Sequence, residues 1–349
     1  MPPPTSLDLL GTPFPVLARR LDALGIGAKH ASRVFRGIHR DRVPLDAIAD
    51  LGRHARTLAA HVHIDPVQVA SRHPASDGST RLVFALADGK QVEGVLLPNK
   101  DHARATLCVS SQVGCAMACT FCATGTLGLS RHLTAGEIVG QVHAARDELS
   151  GTGRRLSRLV FMGMGEPLHA YESVRDALKV LLDTHGEPLG ARNVTVSTVG
   201  LVRRLAQLGE DFSGRIQLAL SLHAGTDATR QRIVPTARTT SLSDLREALK
   251  AMPRAGQRPV MLEYVLLPGV NDGEAEWDGV AAFAADLPAV VNLIPFNPFP
   301  QAPFRSPTDR EIERAWRALR ARGVRNSVRW PRGRAAQAAC GQLMLEGTG

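Results

Sequence analysis

Three thiols stand close together in Cys115-Ala-Met-Ala-Cys119-Thr-Phe-Cys122, a C-x3-C-x2-C spacing. Thiolates so placed can wrap a loop round one face of a cubane iron–sulfur cluster, ligating three irons and leaving the fourth with an open position. Zinc is the main rival. A structural zinc takes four protein ligands, usually as paired C-x2-C units, and here the fourth would have to come from His132 or Cys108 at no standard spacing. The chain has five cysteines; Cys108 precedes the motif and Cys340 lies far beyond it. An odd number is no disulfide framework, and a chain of 349 residues can build a core without one. The clustering points to chemistry rather than packing, although Cys108, in an apolar strand, can also be read as a small buried hydrophobe.

An iron with an open position can chelate the amino and carboxylate groups of S-adenosylmethionine, and one electron from the cluster then cleaves the sulfonium to a 5′-deoxyadenosyl radical. The three-cysteine motif is the signature of the radical-SAM superfamily. Such chemistry needs a scaffold that presents ligands beside the cluster. From about residue 104 the pattern alternates, with candidate strands at 105–110, 159–162, 193–198, 216–222, 260–266 and 290–294 and helical stretches between them. Thr134-x-x-Glu137 and Thr308-x-x-Glu311 read as capping boxes opening two of those helices. Six βα repeats imply a parallel sheet, either a curled partial barrel or an open doubly wound sheet. The absence of G-x-G-x-x-G after the first strand speaks against a dinucleotide site. In barrels of this kind ligand groups come from the C-terminal strand ends. Candidates there are Gly165 and Glu166 after the second strand, Ser197 at the third, Ser221, Leu222 and His223 at the fourth, and Asn297 after the sixth. Each alone has an ordinary reading as turn former or core residue; together they fall in register on one barrel face.

Ahead of the barrel, 15–26, 30–40 and 44–62 show apolar residues at helical spacing, and 81–86 and 91–97 flank an Asp88-Gly89 turn as a β-hairpin. The expected organisation is a helical N-terminal domain (1–65), a hairpin linker (66–103) and an α/β barrel domain with a C-terminal segment (104–349). Hydrophobic residues make up 44% of the chain, charged residues 21% and aromatics 4%, so stacking platforms for single-stranded nucleic acid are few. No apolar run reaches about 18 residues, and Met1-Pro2-Pro3-Pro4 lacks a signal-peptide layout; the expectation is a soluble cytoplasmic monomer. The net charge is +9, and ten arginines fall between Arg305 and Arg334 against Asp309, Glu311 and Glu313. A basic surface of this kind suits a polyanion, with phosphate neutralisation supplying the affinity.

The segments Thr106-Leu-Cys-Val-Ser-Ser-Gln-Val-Gly-Cys115, Phe161-Met-Gly-Met-Gly-Glu-Pro-Leu168, Leu220-Ser-Leu-His223, Leu266-Pro-Gly-Val-Asn-Asp272 and Ala338-Ala-Cys-Gly-Gln-Leu343 resemble the RlmN/Cfr family of radical-SAM RNA methyltransferases, and Pro295-Phe-Asn-Pro-Phe-Pro300 is closer to the RlmN branch. The resemblance implies a partial (βα)6 barrel and a [4Fe–4S] cluster on Cys115, Cys119 and Cys122. It also implies S-adenosylmethionine bound by the strand-end residues, with an electron donor such as a flavodoxin. The implied reaction is methylation of carbon 2 of an adenosine in 23S ribosomal RNA and, in some members, tRNA. Carbon 2 is electron-poor, so an electrophilic methyl group has nothing there to attack it, whereas a carbon radical on the enzyme can add. By the resemblance Cys340 carries the methyl group as S-methylcysteine, Glu93 removes the carbon-2 proton, and Cys108 attacks the Cys340 sulfur to release product through a transient disulfide. The residues Arg334-Ala-Ala-Gln337 depart from the acidic pattern of the family before the carrier cysteine. Methylation of carbon 8, or an idle cluster in an RNA-binding protein, remain the competing expectations; binding alone needs none of Cys108, Cys340 and Glu93.

Overall fold

All six strands expected from residue 104 onward are present in the computed structural model, which describes residues 6–52, 54–99, 101, 103–300, 302–330 and 339–344. They belong to a ten-stranded sheet: β1 (Gln68–Pro74), β2 (Thr80–Ala85), β3 (Gln91–Pro98), β4 (Arg104–Cys108), β5 (Arg155–Phe161), β6 (Val194–Thr198), β7 (Gln217–Ser221), β8 (Val260–Leu266), β9 (Ala289–Pro295) and β10 (Asn326–Val328). Spatial order follows chain order from one edge to the other. Strands β4 to β10 are parallel; β1 to β3 are antiparallel and join the sheet through β3, where Val95 faces Cys108 and Leu97 faces Thr106. The central strands are built from Val, Leu and Ile and are buried on both faces, as parallel strands under helices must be.

That order decides between the two architectures left open by the alternation. A doubly wound sheet reverses direction at a switch point. Here every βα crossover advances the same way, and right-handed crossovers that never reverse place all their helices on one face. The sheet therefore curls, with the opposite face turned inward, into a partial barrel of seven parallel strands.

Two strands of this sheet escaped the sequence. The edge strand β1 alternates between exposed and half-buried residues without a distinct apolar face, and β10 is only three residues long. The expected hairpin linker is accordingly a three-stranded antiparallel extension of the main sheet. Both expected capping boxes form: Thr134 with Glu137 opens the helix Ala135–Leu149, and Thr308 with Glu311 opens Asp309–Ala321. The long N-terminal helix expected over 44–62 is two pieces, Leu45–Ala47 and His54–Ala59. Between them the chain turns through left-handed conformations at Asp50 and Gly52.

The N-terminal region meets Ala135–Leu149 through Asp8 and Gly11 at the start of that helix and through His39, which faces His143 further along it, within one continuous hydrophobic core. Contact is close because Gly136 has no side chain; a Cβ there would lie 2.2 Å from the Asp8 carboxylate. Asp8 accepts from the Leu10 and Gly11 amides and sits at the start of that helix, where the helix dipole favours an anion. Among the described residues no helix is long and apolar enough to cross a membrane.

Candidate active site

Two adjoining cavities open at the C-terminal ends of the parallel strands. The first, of about 910 Å³ with its mouth, is lined by Cys115, Cys119 and Cys122 together with Gly165, Glu166, Ser197, Ser221, His223 and Asn297. The second, of about 870 Å³, is lined by Cys108, Val95, Leu97 and Trp330. They share Cys122, Met162, Asn297, Arg329 and Cys340 as common wall.

The cysteine loop follows β4 and is shaped by backbone bonds: Cys115 N–H donates to Gly128 O at 2.8 Å and Cys122 N–H to Cys119 O at 3.1 Å, with Ala118 left-handed between them. Burial pushes the Cys115 thiol up to about 12 and Cys119 well above the usual thiol range, and charge on the neighbouring cysteines adds to both shifts. Without a cation these groups stay protonated; a cationic cluster is what makes three thiolates tolerable in such a place. Among the described residues no three His, Cys, Asp or Glu side chains converge as a single-ion site requires. His132 is not available as a fourth ligand, since it is hydrogen-bonded to Gln112 at 2.8 Å and packs edge-on against His169. A cubane instead asks for each thiolate at its own corner. The donor set fits the cluster better than zinc.

Opposite the cysteines, Gly165 adopts a φ of +101°, and a Cβ there would meet the Gln112 backbone nitrogen at 2.9 Å. Gln112 in turn accepts the Glu166 amide at 2.8 Å, so the loop after β5 is bolted to the segment after β4. Glu166 is buried, and its carboxylate accepts the Leu168 and Val199 amides at 2.9 Å each. Burial pushes its pKa up to about 7 against those hydrogen bonds. His223 is left-handed at a φ of 60° and neutral, its pKa pushed down to about 3 by burial and by Arg230. Its Nδ1 accepts from Val265 N–H at 3.1 Å, which puts the ring proton on Nε2. A strained non-glycine backbone at a cavity wall is a mark of function. Leu222 differs from its neighbours: its side chain lies in the hydrophobic core and does not line the cavity. An otherwise apolar chamber with a few placed polar groups fits an amphipathic ligand such as S-adenosylmethionine.

Cys340 is exposed to the space between the two cavities. Its segment is clamped on both sides: Ala123 N–H donates to Gly341 O at 2.8 Å and Thr124 Oγ1 to Leu343 O at 2.7 Å, while Asn297 Nδ2 donates to Cys340 O at 3.2 Å and Gln342 Nε2 to Pro298 O at 2.8 Å. Cys108 ends β4 on the wall of the second cavity, its thiol pushed up to about 12, first by burial and then by Cys340. All five cysteines are free thiols, so the expected Cys108–Cys340 disulfide is not a feature of this structure. Glu93 lies on β3, fully buried, ion-paired to Arg81 and with its amide 3.3 Å from Met164 Sδ. It lines neither cavity.

Profile and sequence comparisons, set beside this geometry, decide the family. Residues 109–278 match the Radical SAM superfamily model. A dual-specificity RNA methyltransferase RlmN of Anaeromyxobacter dehalogenans is 43% identical over 347 residues, covering 97% of this chain and 92% of that protein. The chain belongs to the RlmN family. The RlmN of Phenylobacterium zucineum is 40% identical and covers 98% of this chain and 92% of its own. A crystal structure of a radical SAM methyltransferase from Sphaerobacter thermophilus superposes with a TM-score of 0.89 at 39% identity, over 97% of this chain and 99% of that one.

Family membership leaves two features of the site that sequence reasoning missed. Arg329 follows β10, donates its backbone amide to Leu293 O at 2.8 Å, and brings its guanidinium within 3.8 Å of Glu263 and 3.3 Å of Met162 Sδ, next to Cys340 and Cys108. It was one of ten arginines in a basic run, with the strand that aims it too short to read. Phe121, just before the third motif cysteine, packs its ring against His223 with centroids 4.6 Å apart. Four of the ten arginines of the basic run are paired within the fold: Arg305, Arg314, Arg317 and Arg322 pair with Glu311, Asp272, Glu313, and Glu274 and Asp278. The departure at Arg334–Gln337 lies outside the described residues.

Proposed function

We propose that the protein methylates carbon 2 of an adenosine in 23S ribosomal RNA, and in tRNA, with Cys340 as methyl carrier. The observation that carries this reading is the place of Cys340 in the wall common to two cavities, one built round the cluster cysteines and the other holding Cys108. A carrier must be loaded on one side and unloaded on the other, and this sulfur faces both.

Cys115, Cys119 and Cys122 would hold a [4Fe–4S] cluster, and Gly165, Glu166, Ser197, Ser221, Leu222, His223 and Asn297 would hold S-adenosylmethionine, Leu222 through its backbone. Bound there, the pair supplies the methyl group and one-electron hydrogen abstraction, the electron coming from a donor such as a flavodoxin. The remaining work falls to side chains of this chain. Asn297 fixes the backbone of Cys340, so that its sulfur stays at the boundary. The neutral His223 offers an Nε2–H donor without adding charge beside the cysteines. Cys108, buried and protonated at rest, is held out of reaction until the base is joined to Cys340. Once the carbon-2 proton is gone and the adduct's unpaired electron has passed back to the electron source, the Cys108 thiolate attacks the Cys340 sulfur. The S–S bond forms as the S–CH2 bond breaks, the released carbon takes a proton to become the methyl group, and an external thiol reductant reopens the disulfide. Glu93 takes the carbon-2 proton; since its carboxylate is paired with Arg81, that role requires the pair to open when RNA enters.

Mass spectrometry of ribosomal RNA and tRNA from a deletion strain tests the reading. Loss of 2-methyladenosine from the ribosomal RNA is the expected result, restored by wild-type protein and not by Cys340→Ala. Loss of 8-methyladenosine instead transfers the chemistry to carbon 8.

A further inference from the structure

Trp330 is the most exposed large apolar side chain among the described residues, at 59%. Aromatic residues are scarce in this chain, and the other two tryptophans are used for packing: Trp277 is buried and Trp316 lies under Arg320. Trp330 is used otherwise. It lines the second cavity together with Val95, Leu97, Cys108 and Cys340. An exposed flat aromatic on a mainly apolar cavity that also holds Cys108 and Cys340 matches an unpaired nucleobase. A base to be modified must leave its stack, and an aromatic side chain that restacks it offsets that cost. The net charge of +9 favours the same partner.

We propose that Trp330 stacks on the RNA nucleobase that enters the second cavity and holds its ring plane toward Cys340. The proposal rests on the RNA methyltransferase reading and adds a recognition element to it.

The test uses cluster-loaded protein and two fluorescein-labelled hairpin RNAs, one with a single unpaired loop adenosine and one with an abasic site in its place. Fluorescence anisotropy reads binding. Wild-type protein should prefer the adenosine hairpin by roughly 5- to 150-fold, the range set by base–aromatic stacking. Trp330→Ala should bind both hairpins alike, with its affinity for the abasic hairpin unchanged, and Trp330→Phe should recover most of the preference. A role in folding alone would shift both affinities together, and iron content and thermal melting report that separately. Equal binding of both hairpins by wild-type protein overturns the proposal. So does a preference that survives in Trp330→Ala, as when a segment of the chain itself covers the indole. Methyl incorporation into RNA by wild-type protein, measured in parallel, decides the underlying reading independently of either result.

Discussion

Replacing Cys115, Cys119 or Cys122 by Ala should remove the iron–sulfur absorbance of anaerobically prepared protein and its stoichiometric iron; stoichiometric zinc in the wild type would sink the assignment. The two outlying cysteines separate by a different readout. If Cys108 resolves the intermediate, Cys108→Ala should accumulate RNA covalently attached through Cys340, seen in gels as a band that nuclease collapses to a nucleotide-sized mass increment. The Cys108→Ala/Cys340→Ala double mutant should show none. A purely packing role predicts instead about 1 kcal/mol of lost stability and no adduct. Gly165→Ala should be worse than a lost methyl group suggests. It forces a side chain into a φ of +101° and against the Gln112 backbone, costing about 2–4 kcal/mol by urea unfolding and lowering S-adenosylmethionine binding. At this scale much of the site was legible, because thiol spacing and strand-end polar residues are local signals. Arg329 was not, since nothing in a basic run marks which arginine turns inward, and the pairing of Glu93 with Arg81 is a contact across two strands. Leu222 shows the limit of reading by position: it stands between two lining residues and points the other way.

The six expected core strands were readable from their apolar runs and the boxes Thr134/Glu137 and Thr308/Glu311 from a four-residue pattern, all of them short-range regularities. Edge strand β1 and the three-residue β10 exist because a neighbouring strand offers them hydrogen bonds, a cause that lies outside their own residues. The helix Ala135–Leu149 is the element on which the molecule turns, since it packs on the sheet and also meets the N-terminal region at Asp8, Gly11 and His39. Gly136→Ala should therefore act as a wedge rather than as a helix-stabilising substitution. Overpacking against the held Asp8 carboxylate should cost about 1–3 kcal/mol, and limited proteolysis should cut the N-terminal region faster. An unchanged urea midpoint would show that Asp8 moves aside freely.

Across the whole molecule, acid should weaken the contact between the N-terminal helices and the barrel. His39 and His143 face each other there, ring centroids 5.5 Å apart, and burial pushes His39 down to about 4 and His143 lower than usual, with Arg146 and Arg42 adding to the shift. Both stay neutral in the folded protein and gain protons on unfolding. Their stabilising contribution is complete above an unfolded pKa near 6.5 and is lost as the pH falls from there toward 4. Urea unfolding at pH 7 and pH 5 should differ by about 2 kcal/mol through His39 alone, and His39→Phe should flatten that difference. Charge pairing at this scale also qualifies the simplest reading of composition: Arg305, Arg314, Arg317 and Arg322 already pair with neighbouring acids, which weakens their pull on a polyanion. One further consequence comes from the strand order. Because each strand from β1 to β10 docks on the one made just before it, a chain emerging from the ribosome can lay down its sheet as it is synthesised, without waiting for distant partners. The segment bearing Cys340 follows β10 and closes over strand ends already in place. The cysteine loop, made early, is covered by Ile233, Val265, Ile294 and Phe296 from the later strands and their loops, so it closes late, just before the segment bearing Cys340 arrives. A chain cut short by a stalled ribosome lacks the sulfur that both cavities share.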